Sequence, residues 1–163
     1  MRGAAMNGLL ASTLTGVLVA CSGAEQDFCQ YLSLSEAQAF DSSITTSEMR
    51  QTKLVLYCVW KAGSSDRLFL SLDRAIESGP REFLKVLAKN SPETHDEVIT
   101  LSDVGGEGAA LFLGDGDTLE LEFLVAQNDR YSVTMRAPDV ERKDAGKLDR
   151  LRQTARTVLS RLR

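Results

Sequence analysis

Residues 53–60 are the segment that most restricts how this chain can fold. Its apolar side chains alternate between two faces. One face carries Leu54, Leu56, Cys58 and Trp60, and the other carries Val55, Tyr57 and Val59. A strand that is apolar on both faces must be covered on both faces. The segment therefore predicts a central strand in a sheet that has other elements packed against it.

Other alternating segments predict that this sheet is antiparallel. Residues 67–74 follow a loop at residues 63–66 and form the expected hairpin partner, with Leu68, Leu70 and Leu72 facing inward. Further strands are predicted at residues 97–101, 109–113, 118–125 and 130–136. In the third of these, the inward face is predicted to carry Leu119, Leu121, Phe123 and Val125.

The last hairpin has a predicted register. A three-residue loop at residues 127–129 places odd positions of one strand opposite odd positions of the other. This register sets Glu120 opposite Arg136 as an exposed ion pair.

Two registers remain open for the strand at residues 109–113. A two-residue turn after this strand places Phe112 inward, whereas a three-residue turn places Leu111 and Leu113 inward.

Three helices are predicted. A short helix is predicted over residues 33–40, and two pairs at its start have capping-box spacing: Ser33 with Glu36, and Ser35 with Gln38. A second helix covers residues 80–89, begins at Pro80 and buries Phe83, Leu84 and Leu87. The C-terminal helix has an apolar stripe at spacings of three and four, formed by Leu148, Leu151, Ala155, Val158, Leu159 and Leu162.

These elements predict one α+β domain over residues 28–163. We expect an antiparallel sheet of about five to six strands with helices packed on it, including the long amphipathic C-terminal helix. Hydrophobic residues make up 43% of the chain and charged residues 26%, as in globular proteins. The net charge of −4 argues against nucleic-acid binding, and a single histidine excludes a multi-histidine metal site.

The N-terminus has the pattern of a secretory leader. Arg2 is followed by an uncharged run at residues 9–20, which is too short to span a membrane. The run ends in Leu18-Val19-Ala20-Cys21, which resembles the lipobox of bacterial prolipoproteins. The resemblance implies cleavage after Ala20 and lipidation of Cys21; the alternatives are an ordinary signal peptide and an unprocessed apolar N-terminus.

The resemblance divides the N-terminal part into a signal peptide at residues 1–20 and a tether at residues 21–27. It implies a protein on the extracytoplasmic side of the cell membrane or outer membrane, held there by lipid. Ser22 resembles an outer-membrane sorting signal of Gram-negative bacteria, but the sequence does not establish the type of cell.

The other two cysteines form an even pair. If Cys21 carries lipid, Cys29 and Cys58 are left in an oxidising compartment, which favours a disulfide between them. Two buried free thiols are the alternative.

The order of motifs resembles a family of small cell-envelope lipoproteins of unknown function, best known from actinobacteria. The corresponding residues are Cys29, Leu34-Ser35-Glu36-Ala37, Cys58-Val59-Trp60, the turn Gly105-Gly106-Glu107-Gly108 and the C-terminal helix. The resemblance implies a fold and a compartment, and it supplies no activity.

The sequence predicts no catalytic residue, metal ligand or cofactor. Residues 105–108 lack the spacing of a phosphate-binding loop and predict a tight turn or a bulge before a strand. His95 and Asp96 are adjacent without a recognisable nucleophile, and Glu120 and Glu122 suit a solvated strand face. We therefore expect that the protein is not an enzyme.

A basic face on the C-terminal helix is a candidate for contact with anionic lipid or an acidic partner. Its residues are Lys147, Arg150, Arg152, Arg156 and Arg161. A solvated helix surface is the alternative interpretation.

The functional hypothesis is a lipid-anchored binding or adaptor module that meets a protein of the envelope. The alternatives are a carrier of a small ligand, a structural lipoprotein and an enzyme with a dispersed site. A pocket above about 300 Å³ would favour ligand carriage, and an exposed apolar patch would favour a protein partner.

Overall fold

The computed structural model describes residues 27–53, 55–91, 95–114 and 118–162. The predictions for the leader, for Cys21 and for most of the tether lie outside these residues. Asp27 is the first described residue, and its carboxylate accepts a hydrogen bond from the backbone N–H of Cys29 at 2.9 Å.

The α+β prediction is confirmed, with one antiparallel sheet. Across the described ranges the sheet has seven strands in the order β1-β2-β3-β7-β6-β5-β4, against the five to six predicted. The strands are β1 Thr46–Gln51, β2 Leu56–Ala62, β3 Ser65–Arg74, β4 His95–Leu101, β5 Glu107–Gly114, β6 Glu120–Gln127 and β7 Tyr131–Arg136. A short 3-10 helix at Phe28–Tyr31 precedes α1 Leu34–Phe40, α2 Gly79–Lys89 and α3 Ala145–Arg161.

The strand absent from the prediction is β1, at the edge of the sheet beside β2. Its sequence is polar and most of its side chains are exposed. An edge strand with little buried surface has no alternation of apolar and polar residues that could reveal it. With β1 in place, β2 is an interior strand, as predicted, although it begins at Leu56 and not at residue 53.

The main hydrophobic core lies between one face of the sheet and the helices α1 and α3. Trp60 and Phe112 are its largest fully buried side chains. The predicted stripe of α3 is buried throughout, and Leu68 and Leu70 of β3 face the same core. Of the two capping boxes predicted for α1, the one of Ser33 with Glu36 forms, because each side chain accepts from the other's backbone N–H.

A second, smaller core lies on the opposite face. It is centred on Leu84 of α2, with Ala109 and Leu111 of β5 and Val125 of β6. Helix α2 packs on β4, β5 and β6. The interior strand β5 is thus buried on both faces.

The predicted register of the last hairpin is wrong. Leu124 lies opposite Met135, and the backbone N–H of Asn128 donates to the carbonyl of Tyr131 at 3.0 Å. The turn therefore has two central residues instead of three, and even positions of β6 face odd positions of β7. The predicted pair of Glu120 with Arg136 does not form, and Arg136 bonds Glu122 at 2.8 Å instead.

A bulge in β6 explains the change of face. Leu111 lies opposite Phe123 and Phe112 lies opposite Leu121, which leaves Glu122 as an extra residue. The predicted common face of β6 is accordingly split: Leu121 faces the main core, whereas Phe123 and Val125 face the smaller one.

The sequence left open whether Phe112, or Leu111 and Leu113, of β5 point inward; in the structure all three pack against a hydrophobic core. Phe112 points into the main core, whereas Leu111 and Leu113 belong to the core under α2. Because helices cover the sheet on both sides here, all three apolar residues find an apolar environment.

The glycine-rich segment closes the loop between β4 and β5 and leads into β5, whose first two residues are Glu107 and Gly108. Gly105 has a φ of +91°, in the region that favours glycine. A Cβ atom on Gly106 would lie 2.0 Å from the carbonyl oxygen of Gln127. The close approach of this turn to β6 requires glycine at residue 106.

We predict that Gly106→Ala lowers the free energy of unfolding by about 3 kcal/mol, because the backbone must shift to admit the methyl group. The matched control is Gly146→Ala in α3, where a Cβ has no neighbour closer than 3.7 Å. This control should change stability by no more than about 1 kcal/mol, in the stabilising direction. Denaturant titration measures both, and equal effects would contradict the steric argument.

The predicted disulfide is present. Cys29, in the 3-10 helix, is bonded to Cys58 of β2, with a Cα–Cα distance of 5.2 Å. Cys58 is fully buried in the main core, so the bond fixes the N-terminal end of the domain onto an interior strand.

We predict that the unreduced protein is two hydrogens lighter than the reduced protein by intact mass. The bond closes a loop with a sequence separation of 29 residues. Its loss in a Cys29→Ala/Cys58→Ala variant should cost about 3.5 kcal/mol of stability. Two alkylatable thiols in the unreduced protein would contradict the pairing.

Candidate functional site

A groove of about 440 Å³ lies beside α2, where β3 extends past the start of β2. We call it the α2 groove. Its apolar lining consists of Phe28, Val55, Leu56, Leu72, Phe83, Leu87 and Phe123, and its polar lining consists of Ser71, Asp73 and Thr134. Among the described depressions of comparable size, this groove has the most apolar lining.

The spacing of apolar residues in α2 explains why this helix contributes two side chains to the groove wall. Phe83 and Leu87 are four residues apart and share one side of the helix. Leu84 and Ala88 are buried against the sheet, which leaves Phe83 and Leu87 half-buried at its margin. The sequence predicted that Phe83 and Leu87 are buried in the core. In the structure they pack against the smaller core and also form part of the groove wall.

Phe123 faces the groove because of the bulge at Glu122. Without the extra residue, Phe123 would share a face with Leu121 and point into the main core. The sequence alternation alone gave no sign of this, since a bulge is set by pairing with β5.

A buried side chain holds the loop that leads into α2. Gln127 is 8% exposed, and its Oε1 accepts from the backbone N–H of Ile76 at 2.8 Å. Its Nε2 donates to Glu107 Oε2 at 3.2 Å. Because a buried amide must have hydrogen-bond partners, this contact fixes the start of α2 relative to β6. Sequence reasoning missed Gln127, which stands at the end of β6 without a distinguishing motif.

Phe28 is the first aromatic residue of the domain and lines the α2 groove. The neighbouring Cys29 is held by the disulfide to Cys58. Phe28 also borders an adjoining depression of about 200 Å³ that contains Leu72, Tyr131 and Leu162. The point where the chain enters the domain is therefore fixed at the margin of both depressions.

The predicted basic face of α3 is largely engaged within the fold. Lys147 Nζ donates to the carbonyl of Asp139 at 2.9 Å, and Arg152 Nε donates to the carbonyl of Ser102 at 3.2 Å. Arg161 bonds the 3-10 helix and α1, whereas Arg150 and Arg156 are exposed on α3. The five residues share one helix, but three of them hold neighbouring elements.

Arg161 joins the C-terminus to the N-terminal part of the domain. Its Nη1 donates to the carbonyl of Tyr31 at 2.8 Å and to Glu36 Oε2 at 2.9 Å. The hydrogen bonds from Arg161, together with those from Ser33, lower the pKa of Glu36 to about 2 from an ordinary 4.5. The carboxylate thus serves both as the α1 cap and as the partner of α3.

This contact predicts a defined acid sensitivity. The folded-state pKa of Glu36 is depressed, so its stabilisation is complete above pH 4.5 and is lost as the pH falls toward 2. Since both side chains are partly exposed, we expect a contribution of about 1 kcal/mol. Denaturant titrations of Glu36→Gln should differ from the parent at neutral pH and converge with it at acid pH. A difference independent of pH would contradict this assignment.

Two other depressions are more polar. One, of about 350 Å³, lies at the ion pair of Glu97 with Arg142, whose nitrogen and oxygen are 2.8 Å apart. The other, of about 450 Å³, lies at the pair of Arg136 with Glu122. In each of them the charged side chains named are already paired with one another, so neither supports a functional assignment.

The other sequence candidates lie apart. His95 and Asp96 begin the edge strand β4, and Glu122 is paired with Arg136. Within the described ranges, no three His, Cys, Asp or Glu side chains form a cluster that could hold a metal ion.

Comparison with known proteins gave no relatives. No protein-family model, curated protein or solved structure matches the chain. No helix within the described residues is both long and apolar enough to cross a membrane.

Proposed function

We propose that the chain is a lipid-anchored lipoprotein of the bacterial envelope whose domain is a binding module. The observation that carries the proposal is the α2 groove, with its apolar lining and its volume of about 440 Å³. This volume lies within the range of small-molecule sites. The binding module is therefore proposed to carry a small apolar ligand, in preference to acting only as an adaptor.

The anchor is proposed from the sequence around Cys21. Its lipobox-like pattern precedes a short polar tether, and the tether ends where the domain begins. The Cys29–Cys58 disulfide supports a location outside the cytoplasm, because such bonds persist in oxidising compartments.

An adaptor role through α3 is the second candidate. Arg150 and Arg156 are exposed on this helix and could meet acidic groups of an envelope protein. Lys147, Arg152 and Arg161 have partners inside the domain, which leaves a smaller basic surface than the sequence suggested.

We predict that Cys21→Ser abolishes lipidation in a bacterium that processes lipoproteins. Metabolic labelling with an alkyne fatty acid should mark the parent protein, and detergent-phase partitioning should recover it with membranes. Both signals should be lost in Cys21→Ser and retained in the control Cys29→Ser/Cys58→Ser, which keeps the lipobox. A labelled Cys21→Ser protein, or an unlabelled parent, would overturn the proposed anchor.

A further inference from the structure

We propose that the α2 groove takes up one acyl chain of a phospholipid from the bilayer to which the domain is tethered. This inference rests on the proposed lipidation of Cys21. It assigns a ligand class to the groove and an orientation to the domain on the membrane.

The first argument is the length of the tether and the place where it ends. Phe28 follows Cys21 by seven residues. A chain of that length spans at most about 25 Å when fully extended. Because Phe28 lines the α2 groove and Cys29 is covalently fixed to β2, a lipid on Cys21 would hold the groove close to the bilayer surface.

The second argument is the chemistry of the groove wall. Its wall includes Phe83 and Leu87 of α2, Phe123 of β6 and Leu72 of β3. Val55 at its edge is 46% exposed, so the apolar wall continues to the surface of the domain. A flexible, unbranched hydrocarbon chain would cover these side chains and leave no polar group of its own unpaired.

The test uses the lipidated, processed protein reconstituted into phosphatidylglycerol vesicles that contain a phospholipid with a diazirine on one acyl chain. After illumination and digestion, we expect the label on peptides that contain Phe83, Leu87 or Phe123. Label found only on other peptides would overturn the proposal. So would a groove that is crosslinked to a co-purified protein instead of to the phospholipid.

A matched pair of variants tests whether the groove itself binds the chain. Leu87→Trp fills the groove, whereas Val86→Trp adds the same ring at a neighbouring position that is 57% exposed. Labelling should fall roughly tenfold in Leu87→Trp and stay unchanged in Val86→Trp. Equal labelling of the two would overturn the proposal; if Leu87→Trp does not fold, the position of the label in the parent protein decides.

The mass of the N-terminal peptide distinguishes a failure of the proposed anchor at Cys21 from a failure of the acyl-chain inference. A lipidated Cys21 with an unlabelled groove would overturn the acyl-chain inference and leave the anchor standing. An unmodified Cys21 in the parent protein would overturn both. A Cys21→Ser protein added to the same vesicles should lose groove labelling, because the label depends on the tether.

Discussion

The disulfide between Cys29 and Cys58 is the bond on which the N-terminal architecture depends. Cys58 is fully buried on an interior strand, so its partner brings the 3-10 helix onto the main core. The chain then continues through α1, whose capping-box residue Glu36 bonds Arg161 at the end of α3. A covalent bond and an ion pair thus connect the two ends of the described domain through one side of the sheet.

The two faces of the sheet have different cover, and the α2 groove is a result of that difference. On one face the main core is closed by α1 and α3. On the other face, α2 packs on β4, β5 and β6. Over β2, an ion pair of Arg50 with Asp66, 2.7 Å apart, spans from β1 to β3, and Val59 is buried. The groove lies between these two kinds of cover, where apolar side chains remain half-buried.

Much of the fold could be predicted from the sequence, because periodic apolar patterns report which side of an element is buried. The α3 stripe, the β2–β3 hairpin and the α1 capping box are of this kind. The edge strand β1 has no such pattern, and the bulge at Glu122 arises only from pairing with β5. The α2 groove escaped prediction for the same reason, since Phe28, Phe83 and Phe123 are brought together by tertiary packing alone.

The central claim is that the end of the sheet bearing the α2 groove faces the membrane. Val55 lies at that end, and Ser64 lies in the turn at the other end of β2, whose seven residues span about 23 Å. The decisive measurement uses a ketone-bearing amino acid introduced at position 55 or at position 64, to which a spin label is attached. The relaxation of that label is then measured in the lipidated protein on vesicles. The account predicts that lipid-soluble oxygen relaxes the label at 55 more strongly, and a water-soluble nickel complex the label at 64. Equal responses, or the reverse order, would contradict it.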